Sequence, residues 1–224
     1  MSQESIYAQK PWLKHYDPGV PATLEYPRIP LAALLRRAFD QVPDRAALCY
    51  MGQQIPYREL DRLSNQMAHV LERSGCRPGD TVGVHLPNVP ACYITAIAIQ
   101  KAGCVFTGVS PLLTPEELAY QLQDSGARAL VTLDFFYDMA ARAIDGTGVR
   151  AVFVTGLNDF LPQAETSAPL TPIPGVTTAR FLEALADAPA DPVRVQVDPG
   201  DPCLMMYTGG TTGQPKGAVL TQDN

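Results

Sequence analysis

Three features of the sequence predict an α/β fold with largely parallel sheets and helices on both faces. Short apolar runs alternate with segments whose apolar residues recur at helical spacing, from Leu31 to Thr155. Helix signals stand where the alternation requires them: Thr114, Pro115 and Glu117 make a capping box, and Gly75 and Gly126 mark helix ends. The composition, 46% hydrophobic and 18% charged over 224 residues, is that of a globular chain able to bury a core.

Residues 1–30 are polar and rich in proline (Pro11, Pro18, Pro21, Pro27, Pro30), which predicts an extended arm lying over the body, with Trp12 as its anchor. Residues 31–224 form the body. Leu31, Leu34, Leu35, Ala38 and Phe39 predict an amphipathic helix over 31–41, and a hairpin follows, Ala46–Met51 and Gln53–Pro56 around Gly52. Leu60, Leu63, Met67, Val70 and Leu71 share one face of a helix over 57–74. The units then repeat in type: strand 81–86, helix 90–102, strand 104–109, a helix from Thr114, strand 129–132, helix 134–144 and strand 150–155. From Gly156 to Pro202 the prolines return and only 180–187 has helical character, so this stretch reads as a long connection.

The stretch that carries chemistry is Tyr207-Thr208-Gly209-Gly210-Thr211-Thr212-Gly213-Gln214-Pro215-Lys216-Gly217. Glycines at 209, 210, 213 and 217 allow positive φ and bring backbone N–H groups close to an anion. Thr208, Thr211 and Thr212 add hydroxyl donors and Lys216 adds charge, a set suited to a polyphosphate. The apolar runs 203–207 and 218–221 make it a strand-to-strand loop spanning 208–217. It is not a Walker A loop, because Pro215 precedes the lysine and Gly217, not Ser or Thr, follows it.

Other chemistries lack support. The net charge of −6 without a Lys/Arg run argues against nucleic acid, and five cysteines with no Cys-x-x-Cys pair suggest neither a disulfide framework nor zinc. His15, His69 and His85 have no ligand spacing, Gly146-Thr147-Gly148 precedes a strand instead of opening a helix, and no nucleophile elbow is present. The first sixteen residues do not form a signal peptide and no run is long enough to span a membrane, so a reducing, cytoplasmic setting is expected.

The stretch Tyr207–Ala218 resembles the signature loop of the adenylate-forming enzymes, a family of acyl-CoA synthetases, luciferases and the adenylation domains of peptide synthetases. Earlier blocks are similar in the family's order: Ile55-Pro56-Tyr57-Arg58-Glu59-Leu60, Gly79-Asp80, Leu86-Pro87-Asn88, Lys101-Ala102-Gly103, Ser110 to Leu118 and Asp124 to Ala127. These blocks read as turns and caps of the scaffold. Two positions depart from the pattern: Ser110 stands where the family usually has Asn, and Gln222 where it commonly has His.

The resemblance implies ATP and CoA as co-substrates, with magnesium. Thr208, Gly209, Gly210, Thr211, Thr212, Gly213, Lys216 and Gly217 would hold the ATP phosphates, and Thr208 would lie nearest the metal. It implies a partial N-terminal domain of such an enzyme, with the adenine, ribose, hinge and lid motifs outside this sequence and no catalytic residue within it, so that this portion alone is not expected to turn over. Thr-Gly-Gly at 208–210, the segment around Trp12 and the block from Ser110 to Leu118 are most similar to long-chain fatty acid CoA ligases. Aryl-CoA ligation is the alternative within the family, and a non-catalytic anion-binding or protein-interaction module the alternative outside it. A homodimer and peripheral membrane contact are both compatible with the resemblance.

Overall fold

Among residues 5–162, 168–209 and 213–224, which the computed structural model describes, the alternation is realised as seven α-helices and two sheets. The first segment departs from the expected extended arm. It holds a short helix α1 (Ile6–Gln9) and a 3-10 turn (Pro11–His15) before running irregularly to Pro30. The reason is local: the Ser5 hydroxyl accepts from the Tyr7 N–H at 3.2 Å, and Pro11 stands at the first turn position, where its fixed φ favours a helical start. Trp12 lies 6.1 Å from the Tyr7 ring within the arm itself and stays exposed, which is not the anchoring on the body that the sequence suggested.

Helix α2 (Leu31–Gln41) is followed by a small antiparallel sheet of β1 (Ala46–Tyr50) and β2 (Gln53–Pro56). Their two-residue turn has positive φ at Met51 (45°) and Gly52 (80°), the geometry that matches the twist of paired strands. Then come α3 (Tyr57–Arg73), β3 (Thr81–His85), α4 (Pro90–Lys101), β4 (Val105–Gly108), α5 (Pro115–Asp124), β5 (Ala127–Leu133), α6 (Tyr137–Ala143) and β6 (Ala151–Thr155). The connection after β6 contains a strand that the sequence did not announce, β7 (Thr177–Arg180), and then α7 (Phe181–Ala186). The last elements are β8 (Pro202–Thr208) and β9 (Lys216–Thr221).

The large sheet has the order β7-β6-β5-β3-β4-β8-β9, parallel throughout except for β9, which pairs antiparallel with β8. Its central strands are buried on both faces, and alternate residues serve opposite cores. Ala129, Val131 and Phe153 pack with Met67 and Leu71 of α3, Ile94 and Ile99 of α4, and Phe181 of α7. Leu130, Val152 and Val154 pack instead with Leu118 and Leu122 of α5 and Ala140 of α6. Each of the larger side chains among them, the valines, leucines, isoleucines, phenylalanines and methionine, contributes roughly 1.5–3 kcal/mol by burial. Gly83 admits α5 to the sheet, because a Cβ there would stand 3.0 Å from both Leu122 Cδ2 and Leu130 Cδ1.

Lys101, half-buried, and His85, buried, carry titratable groups into this framework. Lys101 at the end of α4 donates to Asp61 Oδ1 (2.6 Å), Ser64 Oγ (2.8 Å) and Asn65 Oδ1 (2.7 Å), which ties α4 to α3 and explains the lysine as scaffold. His85 ends β3 fully buried, with Nδ1 2.9 Å from Thr132 Oγ1, the Phe136 ring 5.1 Å away, and Nε2 without a partner among the described residues. Burial pushes its pKa down to about 4. No helix among the described residues is long and apolar enough to cross a membrane.

Candidate functional site

The phosphate-loop candidate projects from the sheet edge, where β8 returns beside β4 and turns into β9. The strands extend further into it than the sequence suggested: Thr208 is the last residue of β8 and Lys216 the first of β9, directly paired. The connecting loop is therefore 209–215 and not 208–217. Thr208 suits a ladder by its β-branched side chain, whereas Lys216 and Gly217 enter the strand through their pairing with Thr208 and Tyr207 and not through propensity. Gly210, Thr211 and Thr212 lie outside the described residues, so of the candidate phosphate ligands the structure describes Thr208, Gly209, Gly213, Lys216 and Gly217.

Cross-strand partners project from one face of a sheet, so the exposed Thr208 and Lys216 side chains emerge together, while Tyr207 points to the other face. Gly209 and Gly217 do not use the positive-φ region. Gly217 is needed for space instead: a Cβ there would sit 3.0 Å from Met205 Cγ and 3.2 Å from Tyr207 Cζ, so the absence of a side chain lets the tyrosine ring lie across the opposite strand.

Helix α5 underlies both stems of the loop. The Tyr207 hydroxyl donates to Asp124 Oδ2 at 2.6 Å, and the Tyr120 hydroxyl donates to the Pro215 carbonyl at 3.0 Å. Burial first, and then the bond to the carboxylate, raise the Tyr207 pKa, which keeps the phenol a donor. The helix is itself fixed. Its capping box is formed by the Glu117 N–H on Thr114 Oγ1 (3.3 Å) and the Thr114 N–H on Glu117 Oε2 (2.8 Å), and the Gln121 amide donates to the Gly108 carbonyl at 2.9 Å. Between α5, the end of β4 and the loop lies a cavity of about 560 Å³, bordered by Ser110, Glu117, Tyr120, Tyr207 and Pro215, within the size range of small-molecule sites.

The residues at the two departures from the family pattern each make a defined hydrogen bond. Ser110 Oγ accepts the Leu112 N–H at 3.2 Å, closing after β4 the kind of turn that Asn or Ser can make. Gln222 Oε1 accepts the Leu31 N–H at 2.9 Å, so the residue that follows β9 caps α2, whose own N-cap is Pro30 and offers no side-chain acceptor. Among the described residues no group of three His, Cys, Asp or Glu side chains forms a metal cluster. The sequence did not disclose Tyr120 and Asp124 as loop partners, because a contact across 95 or 83 residues leaves no local signal.

Residues 35–224 match the family described as AMP-binding enzyme. The long-chain-fatty-acid–CoA ligase of Bacillus subtilis (strain 168) is 31% identical over 230 aligned positions, which cover 98% of this chain and 41% of the relative. The crystal structure of a long-chain-fatty-acid-CoA ligase from Archaeoglobus fulgidus superposes with a TM-score of 0.73 at 28% identity, over 92% of this chain and 39% of that one. An anthranilate CoA ligase in complex with anthranoyl-AMP shares the fold, with a TM-score of 0.74 at 24% identity over 88% of this chain and 36% of its own. The chain thus spans about two fifths of the curated relatives' length.

Proposed function

This chain belongs to the AMP-binding enzyme family, and we propose that it is the N-terminal part of an ATP-dependent fatty acid CoA ligase. In that reading a fatty carboxylate attacks the α-phosphorus of ATP, pyrophosphate leaves, and the CoA thiol then displaces AMP from the acyl-adenylate. Residues 1–30 are an arm, and 31–224 belong to the adenylation domain. The observation that carries the proposal is the loop between β8 and β9, with Thr208 and Lys216 side by side on one face at its base. The likeness to long-chain ligases supports the choice of a fatty acid.

Within this reading Lys216 meets the β- and γ-phosphates of ATP as pyrophosphate departs. The hydroxyls of Thr208, Thr211 and Thr212, with the N–H groups of Gly209, Gly210, Gly213 and Gly217, complete the contact. Nucleotidyl transfer depends on positioning and on neutralising developing charge, which is what such a loop supplies. Magnesium fits the donor set as an ion carried by the phosphates: the described residues offer a threonine hydroxyl and no carboxylate cage, and magnesium keeps most of its water while binding substrate phosphates. When bound, it neutralises phosphate charge.

The test is pyrophosphate release by the full-length gene product that carries this sequence, with magnesium and ATP, offered palmitate, octanoate, 4-coumarate or acetate. Release strongest with palmitate or octanoate is expected. A preference for 4-coumarate would move the reading to an aryl-CoA ligase, and silence with every acid would leave an anion-binding or interaction module.

A further inference from the structure

We propose that Tyr120 is a positioning residue for the phosphate loop, acting through the Pro215 carbonyl, and that α5 holds the two stems of the loop in register. The inference rests on the phosphate-binding reading of the loop given above. On the outgoing side, the Tyr120 hydroxyl bonds the Pro215 carbonyl at 3.0 Å. Proline has no N–H, so this carbonyl is the residue's whole backbone hydrogen-bonding capacity. The peptide unit joining Pro215 to Lys216 is planar, so fixing the carbonyl oxygen also fixes the direction of the Lys216 N–H and the point from which its side chain departs. One phenol thus aims the residue that carries the charge.

On the incoming side, Tyr207 stands immediately before Thr208 and bonds Asp124 at 2.6 Å, with its ring across Gly217. Tyr120 and Asp124 are four apart on α5 and so occupy one face of the helix, one turn above the other. A single rigid element therefore grips both ends of the loop. The helix is held at its start by the capping box and against β4 by Gln121, so its two contacts cannot drift independently. Preorganising a charged donor in this way removes reorganisation from the moment of reaction.

The experiment compares Tyr120→Phe and Lys216→Ala in the full-length gene product, measuring kcat, the KM values for ATP and for the carboxylate, inhibition by pyrophosphate, and Tm. Tyr120→Phe keeps the ring and deletes one donor. The expected result is a rise of about three- to tenfold in both the ATP KM and the pyrophosphate inhibition constant, the range one hydrogen bond supplies. The carboxylate KM and Tm stay at the parental values. The inference is overturned if the ATP KM does not change while Lys216→Ala impairs the reaction, or if both substrate KM values rise together with a fall in Tm, which marks a merely structural tyrosine. Should Lys216→Ala also leave ATP kinetics and pyrophosphate inhibition unmoved, it is the phosphate reading of the loop that fails.

Discussion

The two halves of the large sheet are built on opposite plans. Around β3, β5 and β6 every strand has a parallel neighbour on both sides, and β3 and β6 are buried along their whole length between two layers of helices. At the other edge β8 and β9 form an antiparallel pair in which Cys203 is the one buried residue, while Met206 and Val219 remain 43% and 51% exposed. The first half spends its residues on packing. The second presents polar groups in a fixed direction and takes its rigidity from long-range hydrogen bonds to α5. Substitutions should therefore separate cleanly: losses of stability without a specific kinetic signature in the buried half, and losses of activity without unfolding in the hairpin.

The largest effect is expected from the buried half. Phe153→Ala removes a ring between β6 and the α3/α4/α7 layer and should lower unfolding free energy by about 3–5 kcal/mol in urea denaturation. A loss below about 1 kcal/mol would place Phe153 with the ordinary surface positions and break the comparison. Next comes Lys216→Ala in the full-length gene product, which should slow pyrophosphate release on the order of a hundredfold, the usual cost of losing one preorganised donor, with Tm unmoved. Unchanged release would remove the hairpin's claim to function.

A pH-dependent contrast follows from His85. Its folded pKa, about 4, lies below the ordinary 6.5, so between these values the unfolded chain binds a proton that the folded chain refuses. Stability contributed by the neutral ring is thus present above about pH 6.5 and is lost as pH falls towards about 4. His85→Gln should flatten that part of the pH profile in urea unfolding, and an unaltered slope would assign it to other groups. The smallest effect is expected on the open face of the hairpin: Val219→Ser should change unfolding free energy by no more than about 0.5 kcal/mol in the same assay. A larger change would show that this face carries packing of its own.

The same contrast governs what the sequence could disclose. Buried elements were legible because burial imposes periodicity: α3 could be read from Leu60, Leu63, Met67, Val70 and Leu71, and α5 from its capping box. Strand β7 was not, since Thr-Thr-Ala-Arg at a sheet edge carries no apolar alternation and is defined by its pairing with β6 alone. The 3-10 turn of the arm was hidden by Pro11, since a proline can start a turn as readily as prevent one. In the loop, residue types pointed to an anion, but the role of Gly217 as clearance for Tyr207 and the grip of α5 depend on residues brought together only by the sheet order.

That order also sets a sequence of events in time. Strand β8 finds its parallel partner β4 at pairs such as Phe106 with Leu204, contacts that close nearly half the chain into one loop, whereas β3, β4, β5 and β6 meet over much shorter separations. Non-local pairing is slow, and a chain leaving the ribosome has all strands from β3 to β7 available before β8 is synthesised. The nascent protein would pass through a stage in which β4 is an unfilled edge, open to mispairing. The hairpin that carries the phosphate loop thus joins the strands β3 to β7 only after they are available, and its pairing with β4 is where chaperone dependence of folding should be sought.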